Sequence, residues 1–267
     1  MEILRPGSLD EALNALDAHP GATVLAGGTD LMVAAAYQGL RPDTVVALRR
    51  VPELRQMDTG FIGAGVTWAR LTQAPWPGLA QAARGVGSPQ IRNAGTLGGN
   101  LGTASPAGDG LPFLAALDAR IEMASRSGGH RSLPWDEFLL GPKHNALRPD
   151  ELILGVRLPA DLPEHQAFAK VGARNAMVIS LASACLLRRT DGTVTIALGS
   201  VGPTTLRARR AEEMISAEPR PSAAAAAEFG RLVAEEVRPI DDHRATAAYR
   251  RHAAGVIARR LLERCLR

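Results

Sequence analysis

Two glycine-rich segments hold the residue types best suited to chemistry in this sequence. The first is Leu25-Ala26-Gly27-Gly28-Thr29-Asp30-Leu31. The second runs Gly95-Thr96-Leu97-Gly98-Gly99-Asn100-Leu101-Gly102-Thr103-Ala104-Ser105-Pro106-Ala107-Gly108-Asp109. Glycine admits positive φ and lets a ligand come up against the main chain. Main-chain N–H groups about Gly98 and Gly99, the Asn100 amide and the hydroxyls of Thr96, Thr103 and Ser105 form a donor set for a pyrophosphate that needs no lysine. Asp109 adds an acceptor for sugar hydroxyls. Together the two segments predict a cradle for a large, phosphate-bearing cofactor. Taken alone, Gly27-Gly28 equally fits an ordinary left-handed turn. It lacks the third glycine of the dinucleotide fingerprint, and no Gly-Lys-Ser/Thr follows it.

Beside the second segment stands Gln90-Ile91-Arg92-Asn93, where Arg92 reads equally as a solvated surface residue. Among the 31 basic residues only Lys143 and Lys170 are lysines. A lysine at 170, inside Phe168-Ala169-Lys170-Val171-Gly172-Ala173-Arg174, is a choice that the arginine-rich composition does not predict. A compact ammonium sits beside a cofactor where a planar guanidinium would not fit; the competing reading is a lysine on a strand edge. No catalytic constellation emerges. Ser105 has no evident histidine partner, and His130, His144, His243 and His252 read as surface or satisfied core residues. Asp241-Asp242 reads as a helix cap rather than a carboxylate pair. No residue is assigned as catalytic, so the chemistry is expected to belong to the cofactor.

Composition narrows the classes further. The 267 residues are 46% apolar and 22% charged, which suits a folded globular chain with one large or two modest domains. The net charge is only +4 and aromatics make up 4%, so a basic stacking surface for nucleic acid is not expected. Cys185 and Cys265 are the only cysteines, too few for the four thiolates of an iron–sulfur cluster, and no histidine spacing suits zinc. No metal site is expected. With no signal pattern and no membrane-length apolar run, the expected location is the cytoplasm, without membrane association.

These motifs need elements to position them. Ser8–Ala18 reads as an amphipathic helix with Ser8 as N-cap and Glu11 at capping-box spacing. Thr23–Ala26 is a strand leading into the first glycine segment, Asp30–Tyr37 a helix and Thr44–Leu48 a strand. Phe61–Val66 reads as a strand, Trp68–Gln73 and Leu79–Arg84 as helices, and the second glycine segment as a loop. Pro112–Leu117 is helical, Arg120–Ser125 and Glu151–Leu158 are strands, and Trp135–Leu139 is a brief helical piece. Beyond Pro159–Pro163 come strands at Ala167–Val171, Ile179–Arg188 and Thr193–Val201, the last two joined at Asp191-Gly192. Three helices follow: Leu206–Ser216, Ser222–Val237 and Asp242–Leu266. The last is read with Asp241 and Asp242 as caps and a stripe of Ala245, Tyr249, His252, Val256, Leu261 and Cys265.

Ala26-Gly27-Gly28-Thr29-Asp30-Leu31, Ile91-Arg92-Asn93, Thr96-Leu97-Gly98-Gly99-Asn100, Ala104-Ser105-Pro106-Ala107-Gly108-Asp109 and Phe168-x-Lys170-x-Gly172-x-Arg174 together resemble a known family. It is the FAD-binding (medium) subunit of the molybdenum hydroxylases, the group of carbon monoxide dehydrogenase and xanthine dehydrogenase. The resemblance covers essentially the whole chain. It implies an α+β fold: a two-subdomain FAD-binding domain of the PCMH/VAO type at 1–163 (subdomains about 1–53 and 54–163), then a C-terminal α+β domain at 164–267 with an antiparallel sheet and helices. It implies that residues 24–31 and 96–100 wrap the FAD pyrophosphate, with Asp109 near the ribityl–adenosine part and Ile153 and Lys170 approaching the flavin. Leu25, Leu31, Ile91, Asn93, Leu97, Thr103 and Ser105 complete the implied cofactor-binding set.

By the same resemblance the chain is a flavoprotein oxidoreductase subunit that works within a complex. A large partner with a molybdenum cofactor oxidises the substrate, a small [2Fe–2S] partner relays electrons to FAD, and NAD or dioxygen receives them. Two departures stand out. The cysteine-rich [4Fe–4S] insert of some relatives is missing, and Val86 stands where certain relatives place an aromatic beside the flavin. The competing readings are a self-sufficient FAD-dependent oxidoreductase and a non-redox interaction module of the same fold.

Overall fold

A computed structural model describes residues 1–267. The chain begins with β1 (Glu2–Leu4), α1 (Leu9–Ala18), β2 (Thr23–Leu25), α2 (Leu31–Tyr37) and β3 (Thr44–Ala47). The three strands form a parallel sheet in the order β1-β3-β2. α1 forms where expected because Ser8 Oγ accepts from Glu11 N, while the Glu11 carboxylate accepts from Gly7 N. Its Ala12, Leu13 and Leu16 stripe is buried. The strand at Glu2–Leu4 carries too few residues for its alternation to show in the sequence; only its pairing with β3 defines it.

The middle of the chain follows with β4 (Phe61–Gly63), α3 (Trp68–Leu71), α4 (Pro77–Gly85), α5 (Pro89–Ala94), α6 (Leu97–Thr103) and α7 (Leu111–Ala116). Then come β5 (Arg120–Ser125), β6 (Gly129–Pro134), α8 (Trp135–Phe138), β7 (Leu139–Gly141), β8 (His144–Asn145) and β9 (Leu152–Arg157). Strands β4-β9-β5-β6 make an antiparallel sheet, and β7 and β8 a small hairpin. The second glycine segment, read as a loop from its sequence, forms the helix α6 over Leu97–Thr103 and turns only after it. Three glycines in seven helical residues cost roughly 1 kcal/mol each relative to alanine, so local preference does not make this helix. Tertiary hydrogen bonds do. Leu97 N donates to Val66 O (3.0 Å), Gly98 N to Ala64 O (2.8 Å) and Gly99 N to the N-cap Thr96 Oγ1 (3.0 Å). The first-turn donors that a helix normally leaves open are thus already used. Ala104 closes the helix in the left-handed region at φ 46°.

The last part holds β10 (His165–Val171), β11 (Ala182–Arg188), β12 (Val194–Gly199), β13 (Leu206–Arg207), α9 (Arg209–Ser216), α10 (Ala223–Glu236) and α11 (Ala247–Cys265). The strands form an antiparallel sheet in chain order, with β10 at one edge and the three helices covering its apolar face. Three sequence expectations are corrected here. Leu206 and Arg207 pair with Leu198 and Ala197 as a strand, so the helix starts only at Arg209. Residues 179–181 lie ahead of β11 rather than in it. α11 is capped by Thr246, whose hydroxyl accepts from Tyr249 N; Asp241 accepts from Ala247 N, and Asp242 takes Arg244 N, Ala245 N and Arg250 Nη2. Of the expected stripe Leu261 and Cys265 are buried, but Tyr249 and His252 are exposed; the buried face runs instead through Arg250, Ala254, Ile257, Ala258 and Leu262. The fold is α+β with antiparallel sheets beside the short parallel one. Phe168, Cys185, Leu187 and Ala197 of the C-terminal sheet join the buried cluster of the preceding residues, so one core spans the junction. No helix is long and apolar enough to cross a membrane.

Candidate functional site

The two glycine segments meet. Gly27 lies so close to the end of α5 that a Cβ there would stand 1.9 Å from the Ala94 carbonyl oxygen. Thr103 donates its hydroxyl to Asp30 Oδ2 at 3.3 Å, a second tie between the segments. Gly28 adopts φ 73°, in the left-handed region, and folds its turn over the Leu25 side chain.

The free donors lie in the first segment, not the second. The N–H groups of Gly27, Gly28, Thr29 and Asp30 donate to nothing within the chain, whereas those of Leu97, Gly98, Gly99 and Asn100 are all engaged. The expectation of open N–H groups around Gly98-Gly99 is therefore corrected. The reason is α6: helix formation and the carbonyls of Ala64 and Val66, in the turn after β4, consume them. Gly98 is glycine because a Cβ would sit 2.6 Å from Ala64 Cβ, and Gly110 because one would sit 2.4 Å from the Trp68 ring. Gly99 differs. Its backbone is ordinary helix, and an added Cβ would meet only Thr96 Oγ1 at 3.2 Å, so the fold constrains it less than Gly98. Asn100 Oδ1 is buried without a partner beside Gly108. Four successive unpartnered N–H groups on an αL turn suit an oxyanion such as a diphosphate, and the orphaned amide adds a polar contact. These residues fit a pyrophosphate-bearing cofactor.

The other sequence-derived residues are distributed unevenly. Ile91 is partly exposed on α5 and packs on Gly87. Leu97 is core. Ile153 is buried in β9, with its Cδ1 under Gly102. Ala26 and Leu31 flank the free turn and are half-buried. Ser105 Oγ accepts from Ala107 N and shapes the turn after α6. Asn93 is exposed and lines, with Arg92, a cleft between α3, α4 and α5.

Asp109 and Lys170 form the one strongly desolvated ion pair near the glycine segments. Lys170 Nζ donates to Asp109 Oδ2 at 2.6 Å, to Gly85 O at 2.8 Å and to Val178 O at 3.1 Å. All three ammonium donors are thereby used inside the protein. Ser180, buried and absent from the sequence-derived set, donates to Asp109 Oδ1 at 2.6 Å. Burial raises the Asp109 carboxyl above its usual range, against the opposing pull of Lys170 and the Ser180 hydroxyl. Both carboxylate oxygens thus have protein donors, where sequence alone suggested acceptors for a sugar. Ser180 carried no local signal; it reaches Asp109 only because the 172–181 connection folds back over the edge of β10.

Cys185 and Cys265 are free and buried, and burial pushes both thiols up, Cys265 to about 11. Neither is a ready thiolate ligand at neutral pH. The isolated chain is expected to contain no stoichiometric iron or sulfide, measured by metal and sulfide assay. Stoichiometric iron surviving Cys185→Ser would contradict this.

Residues 1–161 match the family model for the FAD binding domain in molybdopterin dehydrogenase, and residues 167–265 that for the CO dehydrogenase flavoprotein C-terminal domain. The chain is 33% identical over 238 residues to the nicotinate dehydrogenase FAD-subunit of Eubacterium barkeri, covering 82% of this chain and 80% of that one. It is 30% identical to the carbon monoxide dehydrogenase medium chain of Hydrogenophaga pseudoflava, covering 96% and 94%. Among solved structures, quinoline 2-oxidoreductase from Pseudomonas putida 86 superimposes with a TM-score of 0.91 at 28% identity, covering 100% of this chain and 96% of that one.

Proposed function

The chain belongs to the FAD-binding subunits of the molybdenum hydroxylases, and from that premise we propose that it relays electrons from a [2Fe–2S] partner subunit to NAD or dioxygen. It is a flavoprotein subunit of an oxidoreductase, with FAD as its cofactor. In the proposed assembly a large partner with a molybdenum cofactor oxidises the organic substrate. FAD, when bound, supplies a carrier that accepts electrons singly and gives them up in pairs.

The free N–H groups of Gly27 to Asp30, set against Ala94 and α6, are the main support for placing the pyrophosphate there. In this proposal residues 24–31 hold the diphosphate by backbone donors, and α6 with Gly99 forms the wall that it lies along. The Asp109–Lys170 pair fixes the edge of the site by tying β10 and the 172–181 connection to Gly85. Ile153 supports α6 from below through Gly102. We propose the same division that the sequence suggested. The parallel sheet falls within 1–53, the β4-β9-β5-β6 sheet within 54–163 and the β10–β13 sheet within 164–267.

No general base, nucleophile or metal cluster is assembled at this site, and no group of metal-binding side chains exists elsewhere. The chain alone is therefore expected to hold FAD yet turn over no organic substrate. Mixed with its iron–sulfur and molybdenum partners, it is expected to show flavin reduction by an aromatic heterocycle, an aldehyde or carbon monoxide, followed by the flavin absorbance. Equal turnover by the lone chain would replace this reading with a self-sufficient flavoenzyme.

A further inference from the structure

A second polar feature lies on the far side of α5 from the glycine segments. From Thr59 to Gly108 the sequence holds no aspartate or glutamate, although the chain has 27. The charged residues of that stretch are Arg70, Arg84 and Arg92. In the structure a cleft of about 360 Å³ opens between α3, α4 and α5, with Thr72, Gln73, Arg84, Arg92 and Asn93 on its walls and no acid among its lining residues.

Both guanidinium groups are anchored without being neutralised. Arg84 Nη2 donates to Thr72 O at 3.2 Å, and Arg92 Nη1 donates to Val86 O at 3.0 Å and Gly87 O at 2.9 Å. Neither has a carboxylate partner, unlike the buried Arg207 and Arg250, which pair with Glu212 and Asp242. Each guanidinium uses one nitrogen on backbone carbonyls and keeps its remaining N–H groups for an external acceptor. Holding an arginine by carbonyls reduces the rotamer freedom lost when an anion binds. Five of the lining side chains are polar, with Ala69 and Pro89 adding apolar surface, so the cleft offers several polar partners to a hydrated anion.

We propose that this cleft binds a phosphate-bearing ligand through its diphosphate, gripped by Arg84 and Arg92, at a site separate from the FAD cradle. Arg–phosphate contacts are charge-assisted and bidentate in geometry, so two such residues on one concave face select a diphosphate over a single phosphate. Thr72, Gln73 and Asn93 supply neutral polar partners. The separation follows from α5 itself: the Ala94 carbonyl packs on Gly27, while Pro89, Arg92 and Asn93 line the cleft.

The test is calorimetric titration of the FAD-loaded full chain with inorganic pyrophosphate, ADP and inorganic phosphate at low ionic strength. Pyrophosphate and ADP are expected to bind saturably and alike, and inorganic phosphate more weakly. Arg84 and Gln73 are exposed, so Arg84→Gln and Gln73→Glu should fold and keep their flavin absorbance. Each is expected to weaken pyrophosphate at least tenfold. The proposal is overturned by absence of saturable binding, or by equal binding to wild type and both variants. It is overturned as well if pyrophosphate binds only the FAD-free chain, which would place it in the cofactor cradle. Binding of ADP without pyrophosphate would mean that the nucleoside is what is recognised. A defect of Arg84→Gln in assembly with partner subunits alone would make this face a protein contact instead.

Discussion

Gly27→Val is expected to destabilise the chain and to abolish FAD retention together. A Cβ at residue 27 would stand 1.9 Å from Ala94 O and 2.5 Å from Ala94 C, both main-chain atoms that no rotamer change can move. The strain belongs at or above the upper end of the roughly 1–3 kcal/mol typical of overpacking, because backbone must shift. It also separates the free N–H groups of Gly27 to Asp30 from α6. Gly99→Val is the informative contrast. That backbone is helical, and the added Cβ would meet only Thr96 Oγ1, at 3.2 Å. The Gly99 variant is expected to fold with near wild-type stability and lose flavin only through crowding of the ligand. Thermal unfolding and flavin absorbance per chain separate the two outcomes. A Gly27→Val protein with wild-type Tm and full FAD would remove the contact between the segments from any role, and full FAD in Gly99→Val would take α6 out of the cofactor wall.

Lys170→Ala is expected to cost about 3–5 kcal/mol, the range for breaking a buried ion pair by removing one partner. The side chains of Lys170 and Asp109 are only 13% and 9% exposed, so water does not replace the lost ammonium. Three acceptors lose their donor at once: Asp109 Oδ2, Gly85 O and Val178 O. Lys143→Ala, at an exposed turn, is expected to change stability by less than about 0.5 kcal/mol. The pH dependence has a defined sign. Asp109 is raised in the folded protein by burial, and Lys170 opposes that rise. Without Lys170 the carboxyl rises further, so the folded variant binds its proton more readily than the unfolded chain does. Stability is then regained as pH falls and lost as pH rises through the folded pKa. The Tm gap between wild type and Lys170→Ala should therefore narrow from neutral to mildly acidic pH. Adding Asp109→Asn to Lys170→Ala should recover part of the loss at neutral pH, since the uncompensated charge is gone. A gap independent of pH, with no recovery in the double variant, would show that the pair is not the source of the cost. If Lys170 also acts toward the cofactor, the flavin midpoint potential should shift in Lys170→Ala and not in Lys143→Ala.

The sequence carried the family, the cofactor class and most of the elements, because each depends on local pattern. Ser8 and Glu11 mark the start of α1, Asp191-Gly192 marks the β11–β12 hairpin, and the short, nearly continuous apolar run in Ala182–Leu187 marks a buried strand. The glycine segments were legible as stretches that let a ligand approach the main chain, because glycine is the residue that permits close approach. Which of their N–H groups are free was not visible. That depends on the Ala64 and Val66 carbonyls, distant in sequence, accepting from Gly98 N and Leu97 N and so converting an apparent loop into a helix against its own propensity. The same holds for Asp109. Its type suggested an acceptor for a ligand, yet its two oxygens are held by Lys170 and Ser180, brought from beyond the domain junction by the fold of β10 and the connection after it. Asn93 likewise was legible only as part of a motif; that it lines a cleft together with Thr72 and Arg84 depends on how α3, α4 and α5 pack. Residue type and spacing thus settle what chemistry a segment is capable of. Long-range hydrogen bonds and packing, which no local pattern encodes, settle which atoms remain free to perform it.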